Sequence, residues 1–174
     1  MARVSICIDH LKEVSNNEAL SLYALSSTLS KNNISKALLS DFCRITNYTE
    51  QTIIAHFKTF TDLRFLEITK EKISTYNGWQ NIYLYHRDNL PTISVDSKIL
   101  NLPVTKNQLG LLLRLKAYTL VGTNIIPFSI NKIVRSMKAN HDAVYAVLNA
   151  GIIKKHEYGF ECKYSVNHVA NLGY

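Results

Sequence analysis

The order of local signals along this chain repeats, and that repeat limits the available folds more than any single motif does. Residues 5–85 and 93–166 each carry a short extended segment, a long helix, a short helix, another helix and a two-stranded ribbon, in that order. In the first copy Ile6-Cys7-Ile8-Asp9 is the extended segment, and an apolar-rich run over 17–29 reads as the long helix, closed by the polar break Ser30-Lys31-Asn32-Asn33. Residues 35–44 carry Leu38, Leu39 and Phe42 at helical spacing, with Ser35 placed as the N-cap. After Ile45-Thr46-Asn47-Tyr48, Thr49 can cap a third helix whose Ile53, Phe57 and Phe60 fall at i, i+4 and i+7. The period then changes. Residues 63–73 and 79–86 suit strands, and Asn77-Gly78 between them is the strongest short-range hairpin signal.

The second copy repeats the series. Ile93-Ser94-Val95-Asp96 is the extended segment, and helices are predicted over 105–120, 129–137 and 140–149. Gly151-Ile152-Ile153-Lys154-Lys155 starts the closing ribbon, which turns near Glu157-Tyr158-Gly159. It returns through Phe160, Cys162, Tyr164 and Val166, alternating with Glu161, Lys163 and Ser165 as a half-buried strand requires. Residues 87–92, with Pro91, read as the linker, so the expected domains are 1–88 and 89–174. The class is α+β, mainly α.

Charge separates the copies. The 174 residues hold 20 Lys and Arg against 13 Asp and Glu, a net charge of +7. Residues 1–88 hold ten basic and nine acidic side chains, and 89–174 hold ten and four. A surplus of this kind suits a polyanion, because neutralising phosphates and releasing their counterions supplies most sequence-independent nucleic-acid affinity. The alternative is a solvated basic surface. With 47% hydrophobic residues, six glycines and three prolines, the chain is neither disordered nor collagen-like. Cys7, Cys43 and Cys162 are odd in number and far apart, which points to reduced thiols rather than a disulfide frame or a zinc site. The N-terminus is too polar for a secretion signal, and the apolar stretch 109–121 is interrupted by Arg114 and Lys116 and is too short to span a membrane. A cytoplasmic location, without membrane association, is expected.

The pattern resembles the winged helix-turn-helix fold, present twice and covering nearly all of the chain. The residues that carry the likeness are Phe128-Ser129-Ile130-Asn131-Lys132-Ile133-Val134-Arg135-Ser136-Met137, then residues 140–148, then Asn149-Ala150-Gly151-Ile152-Ile153-Lys154. They are similar to the second helix, recognition helix and wing approach of bacterial regulators, phage replisome organisers and plasmid replication initiators. The first copy departs from the pattern at Asp62-Leu63-Arg64-Phe65-Leu66, where no glycine marks the helix end. The long first helices carry apolar residues on two sides, Leu20, Tyr23, Ala24 and Ser27 on one and Leu22, Leu25 and Leu29 on another, and so need cover on both. One side can pack on its own lobe and the other on the equivalent helix, giving an internal pseudo-dimer.

In such a module the third helix lies in the major groove and the second crosses the backbone. With Ile53, Phe57 and Phe60 buried, helical geometry turns Gln51, Thr52, Ala55, Lys58 and Thr59 outward. Gln51 is the best base reader, since its amide can pair with adenine, while Thr52 and Thr59 can touch a thymine methyl or a phosphate. In the second copy Val144, Val147 and Leu148 form the buried stripe, leaving Asn140, Asp142, Tyr145, Ala146 and Asn149 outward or flanking. Asp142 is better read as a helix-start residue than as a cytosine contact. Lys132, Arg135 and Lys138 around the second helix, and Lys154 and Lys155 in the wing, are the candidate phosphate contacts, with His156 and Tyr158 near the wing tip. Lys70 and Lys72 occupy the matching place in the first copy, where Tyr76 and Trp79 flank the turn and can meet a minor groove, a partner or their own lobe. Two linked readers would contact half-sites about 10–10.5 base pairs apart on one DNA face. Since the copies differ, their site need not be a palindrome.

No glycine-rich phosphate loop, Gly-x-Ser-x-Gly, His-Glu-x-x-His or EF-hand loop occurs, and the six histidines lack ligand spacing. A non-enzymatic protein without metal or cofactor is expected. The expected role is sequence-specific binding of double-stranded DNA, as a replication, conjugative-transfer or transcription accessory factor of a plasmid, phage or integrated mobile element. The mobile-element part rests on the tandem architecture and the Asn-, Ser-, Lys- and Ile-rich usage. Other proteins of the same nucleoprotein complex are further expected partners. The alternative is a protein-interaction scaffold like the tandem winged-helix subunits of chromosome-condensing complexes, whose acidic character contrasts with this chain.

Overall fold

A computed structural model describes residues 3–31, 34–62, 67–76, 78–86, 92–120, 123, 125–149, 153–157, 159–162 and 166–169. The architecture is mixed α+β. It divides into two compact units, one continuous (Leu22–Asn89) and one split (Met1–Ser21 with Leu90–Tyr174). The first 21 residues therefore group with the second half of the chain rather than with the rest of a 1–88 lobe. The reason is strand pairing. β1 (Arg3–Cys7) runs antiparallel to β6 (Thr92–Asp96), with Val4 opposite Val95 and Ile6 opposite Ile93. The two expected extended segments are thus one ladder, while Ile8 and Asp9 have already entered a short helix, α1 (Ile8–Glu13).

The continuous unit takes the last turns of α2 (Asn17–Ser26), a short 3-10 turn (Ser27–Leu29), β2 (Ser30–Lys31), β3 (Ile34–Leu38), α3 (Leu39–Thr46), α4 (Glu50–Asp62), β4 (Glu67–Thr75) and β5 (Gly78–His86). Its sheet has the order β2-β3-β5-β4. The segment 35–44 is not one helix. Its first four residues belong to β3, which pairs with β5 from Ile34 opposite His86 to Leu38 opposite Ile82, and the helix begins only at Leu39. The start is held by Asp41, whose Oδ2 accepts from the Leu38 N–H at 3.1 Å, rather than by Ser35. Leu38, Leu39 and Phe42 satisfy a helical spacing in either case, so periodicity could not locate the boundary. Residues 63–66 and Asn77 lie outside the described residues. β4 and β5 pair along their whole length, and Gly78, at φ 94°, takes a turn conformation that other residues rarely adopt. Phe57 is the centre of the core, edge-on to Phe42 at 5.2 Å and beside Tyr83 at 5.2 Å, while Tyr23 meets Phe60 at 6.3 Å.

The split unit contains β1, α1, the first turn of α2, β6, a 3-10 turn (Ser97–Asn101), α5 (Lys106–Lys116), β7 (Ile125–Ile126), α6 (Ile130–Met137), α7 (His141–Asn149), β8 (Ile153–His156), β9 (Gly159–Cys162) and β10 (Val166–Val169). Its sheets have the orders β1-β6-β10 and β7-β9-β8. The expected return strand through Val166 therefore breaks: β9 ends at Cys162, and Val166 pairs with Val95 in the other sheet. Alternation of apolar residues marks a strand but not its partner. Helix α5 begins at a reciprocal cap, in which Thr105 Oγ1 accepts from the Gln108 N–H and Gln108 Oε1 from the Thr105 N–H, at 3.2 and 2.9 Å. It stops at Lys116 instead of residue 120, tightening through i to i−3 bonds at Ala117, Tyr118 and Thr119. Every residue from Leu109 to Lys116 is buried, as its two apolar sides demand. The cover comes from α7, from α1 and from the start of α2, where a Cβ on Gly110 would lie 1.8 Å from the Asn17 carbonyl oxygen. Ser21 Oγ also donates to the Lys106 carbonyl.

The two units share one local order of helix, strand, helix, helix and hairpin. In both, the strand just before the second helix pairs with the second hairpin strand, giving β3-β5-β4 and β7-β9-β8, with β2 added at the edge of the former. Neither sheet is the bare two-stranded ribbon expected from sequence.

Candidate nucleic-acid interface

In the continuous unit, burial of Ile53, Phe57 and Phe60 orients α4 as its spacing requires. Gln51, Ala55 and Lys58 are exposed. Thr52 and Thr59 are half-buried and their hydroxyls are engaged at home: Thr52 with Thr49 at the helix start, 2.9 Å apart, and Thr59 donating to the Ala55 carbonyl at 3.2 Å. Of the four predicted contact residues on this face, Gln51 and Lys58 are the exposed ones. Sequence reasoning missed Ile54, 49% exposed, because an isoleucine beside a buried stripe reads as core. His56, one of the six histidines without ligand spacing, is buried beside Tyr48. On β4, Lys70 and Lys72 are exposed, and the Lys70 ammonium sits 6.0 Å from the Tyr83 ring centre. Tyr76 is fully exposed near the hairpin turn. Trp79 lies in β5.

In the split unit the second and third helices are joined by a defined turn. Lys138 caps α6 in the left-handed region at φ 48°, and the Lys138 and Ala139 N–H groups donate back to the Arg135 and Val134 carbonyls. Asn140 then starts α7 by accepting from the Asp142 N–H at 2.9 Å. Its amide oxygen is thus a helix cap, which accounts for Asn140 as a structural residue more directly than as a base contact. Asp142 lies in the first turn of α7, where a carboxylate complements the positive end of the helix dipole.

Arg114 secures the same turn from below. It is 4% exposed and donates to the Met137 carbonyl at the end of α6, to Asn17 Oδ1 at 3.2 Å and to the Ser15 carbonyl at 3.5 Å. Burial pushes its pKa down and nearby Tyr118 pushes it up, and an arginine remains charged throughout. This arginine, which interrupts an apolar helix in the sequence, is a helix-end cap that positions the turn.

Lys132, Arg135, Lys138, Lys154 and Lys155 are all exposed, as phosphate contacts must be. Lys155 lines a cleft, and Lys132 rests against Phe128, one of its walls. The Lys132 ammonium rests 4.2 Å from the centre of the Phe128 ring, and Phe128, Tyr145 and Lys155 line a cavity of 450 Å³. Lys154 precedes Lys155 on β8, so the alternation of a strand turns it to the other face. Arg135 and Lys138 lie at the opposite end of α6. Tyr145 is 45% exposed and stacks on His141, with centroids 5.7 Å apart and planes 26° apart. His141 Nε2 lies 3.0 Å from Asn131 Oδ1, tying α7 to α6. The sequence reading left His141 out of this face because a lone histidine carries no ligand spacing. Asn149 is the last residue of α7 and His156 the last of β8; Tyr158 lies outside the described residues.

Cys43 is half-buried, and burial, reinforced by Glu50, pushes its thiol pKa up, away from a reactive thiolate. Among the described residues no group of three or more His, Cys, Asp or Glu is placed to hold a metal, and no helix is long and apolar enough to cross a membrane. Comparison with protein-family models, curated proteins and solved structures gave no match.

Proposed function

We propose that this chain is a sequence-specific double-stranded DNA-binding protein built from two winged helix-turn-helix lobes that act together as an internal pseudo-dimer. On this reading it is a replication, conjugative-transfer or transcription accessory factor of a plasmid, phage or integrated mobile element, and not an enzyme. One observation carries the reading. The same helix, strand, helix, helix, hairpin order with the same strand pairing occurs twice, and each third helix keeps one face exposed, Gln51 and Lys58 on α4 and Tyr145 on α7. Lys132, Arg135, Lys138, Lys154 and Lys155 supply cations around the second of these. A scaffold that bound only protein would not need this concentration of exposed positive charge.

The test is a mobility shift on duplex DNA across a salt series. Affinity should fall linearly in log–log form, with a slope of about 0.9 per phosphate neutralised. Replacing Lys132, Arg135 and Lys138 together should weaken all sequences alike and reduce that slope by about 2–3. Gln51→Ala should instead alter sequence preference, at about 1–3 kcal/mol for the base it reads. No salt-dependent binding, or equal small effects from both variants, would refute the assignment.

A further inference from the structure

The two units carry a cleft at the same place, between the start of the second helix, the third helix and the hairpin, but with different chemistry. In the continuous unit the cleft has a volume of 320 Å³, and its described lining residues, among them Leu39, Glu50 and Gln80, include no aromatic ring and no cation. In the split unit the volume is 450 Å³, and Phe128, Tyr145, Phe160 and Lys155 line it together with Asn131 and Glu157. The fifth residue of the third helix is exposed in both: Ile54 in α4 and Tyr145 in α7. An aliphatic side chain in one copy is a phenol in the other, already stacked on an imidazole.

We propose that the cleft of the split unit takes one unpaired nucleotide of a DNA strand. This rests on the DNA-binding reading above and extends it from duplex to locally opened DNA. The volume lies within the range of small-ligand pockets. Base faces stack on aromatic rings whatever their sequence, and Tyr145, held by His141, extends such a platform. Lys155 on the hairpin and Lys132 over Phe128 supply positive charge for the flanking phosphates, while Asn131 and Glu157 offer polar groups to the edge of a base. A paired base cannot fill the site, because its faces are covered by its neighbours in the stack. The cleft of the continuous unit lacks these parts among its described residues, which leaves that copy to read duplex through α4, so the two copies divide the work.

The full chain is titrated by fluorescence anisotropy with three labelled probes of equal length: a paired duplex, the same duplex with a central three-thymine mismatch bubble, and a single thymine-rich strand. The bubble should bind about fivefold or more tightly than the paired duplex, the lower bound for stacking one base. Tyr145→Ala should bring that ratio close to one, whereas Tyr145→Phe, which keeps the ring, should preserve it. Thermal melts of both variants establish that they fold. Equal affinity for bubble and duplex, or a preference that survives Tyr145→Ala, overturns the proposal and leaves duplex binding standing. Failure of all three probes to bind overturns the DNA-binding reading as well.

Discussion

Alanine at Gly110 tests the packing beneath the split unit, because the sign of its effect depends on whether α2 starts where the structure puts it. In a solvent-exposed helix, replacing an interior glycine by alanine stabilises by about 1 kcal/mol, since alanine is the better helix former. Here the added Cβ would lie 1.8 Å from the Asn17 carbonyl oxygen, 2.5 Å from its carbonyl carbon and 2.7 Å from its Cα. All three atoms are backbone, so no side-chain rotation relieves the clash. The start of α2 would have to retreat by about 1.5 Å to reach ordinary contact distance. Such movement would also stretch the Ser21 bond to the Lys106 carbonyl and the Arg114 bond to Asn17. Overpacking of this kind costs about 1–3 kcal/mol or more, which exceeds the gain in helix propensity. Against three backbone atoms the upper part of that range applies, so the expected net loss is about 1–2 kcal/mol, or a melting temperature lower by about 2–8 °C for a chain of this length. Circular dichroism during heating, with urea titration as a second measure, reads it directly. A melting temperature that stays level or rises would mean that α2 and α5 do not meet at this point.

Three other perturbations probe separate links. Arg114→Leu keeps the bulk inside α5 but removes the donors to Met137, Asn17 and Ser15; stability by urea titration should drop by about 1.5–3 kcal/mol, the range for hydrogen bonds from a charged group. An unchanged midpoint would show that the α6 to α7 turn needs no support from below. Lys138 sits at φ 48°, so Lys138→Gly should hold or raise stability by up to about 1 kcal/mol while weakening DNA binding, and β-branched Lys138→Val should lower stability. A reversed order in urea would count against the left-handed cap. Cys43 has its pKa raised first by burial and then by Glu50, so it stays a neutral thiol at pH 7 and gains reactivity only as pH climbs past the ordinary thiol range of about 8.5. Its folded-state proton affinity adds stability below the unfolded pKa, which is lost as pH rises through the folded one. Alkylation followed by peptide mass spectrometry should show this late labelling, and Glu50→Gln should advance it; brisk reaction at pH 7 would contradict the environment described.

Most of the helices and the exposed faces of α4 and α7 could be read along the chain because they depend on spacing. Ile53, Phe57 and Phe60 are buried at the intervals a helix imposes, and Thr105, Ser129 and Asn140 cap helices with their own side chains. These are interactions among residues a few positions apart, so the amino-acid order expresses them directly. The partners of strands are not local in this sense. β1 joins β6 across some ninety residues, β3 replaces the start of an expected helix because β5 offers it a ladder, and Val166 leaves its hairpin for the edge of β6. A two-residue strand such as β7 carries no period at all. The cleft near Tyr145 likewise needs α6, α7 and the hairpin brought together, and Arg114 has a purpose only once Met137 and Asn17 are beside it. Local order chose the pieces and their faces; the pairing of distant backbone donors and acceptors, and the burial it permits, chose their neighbours.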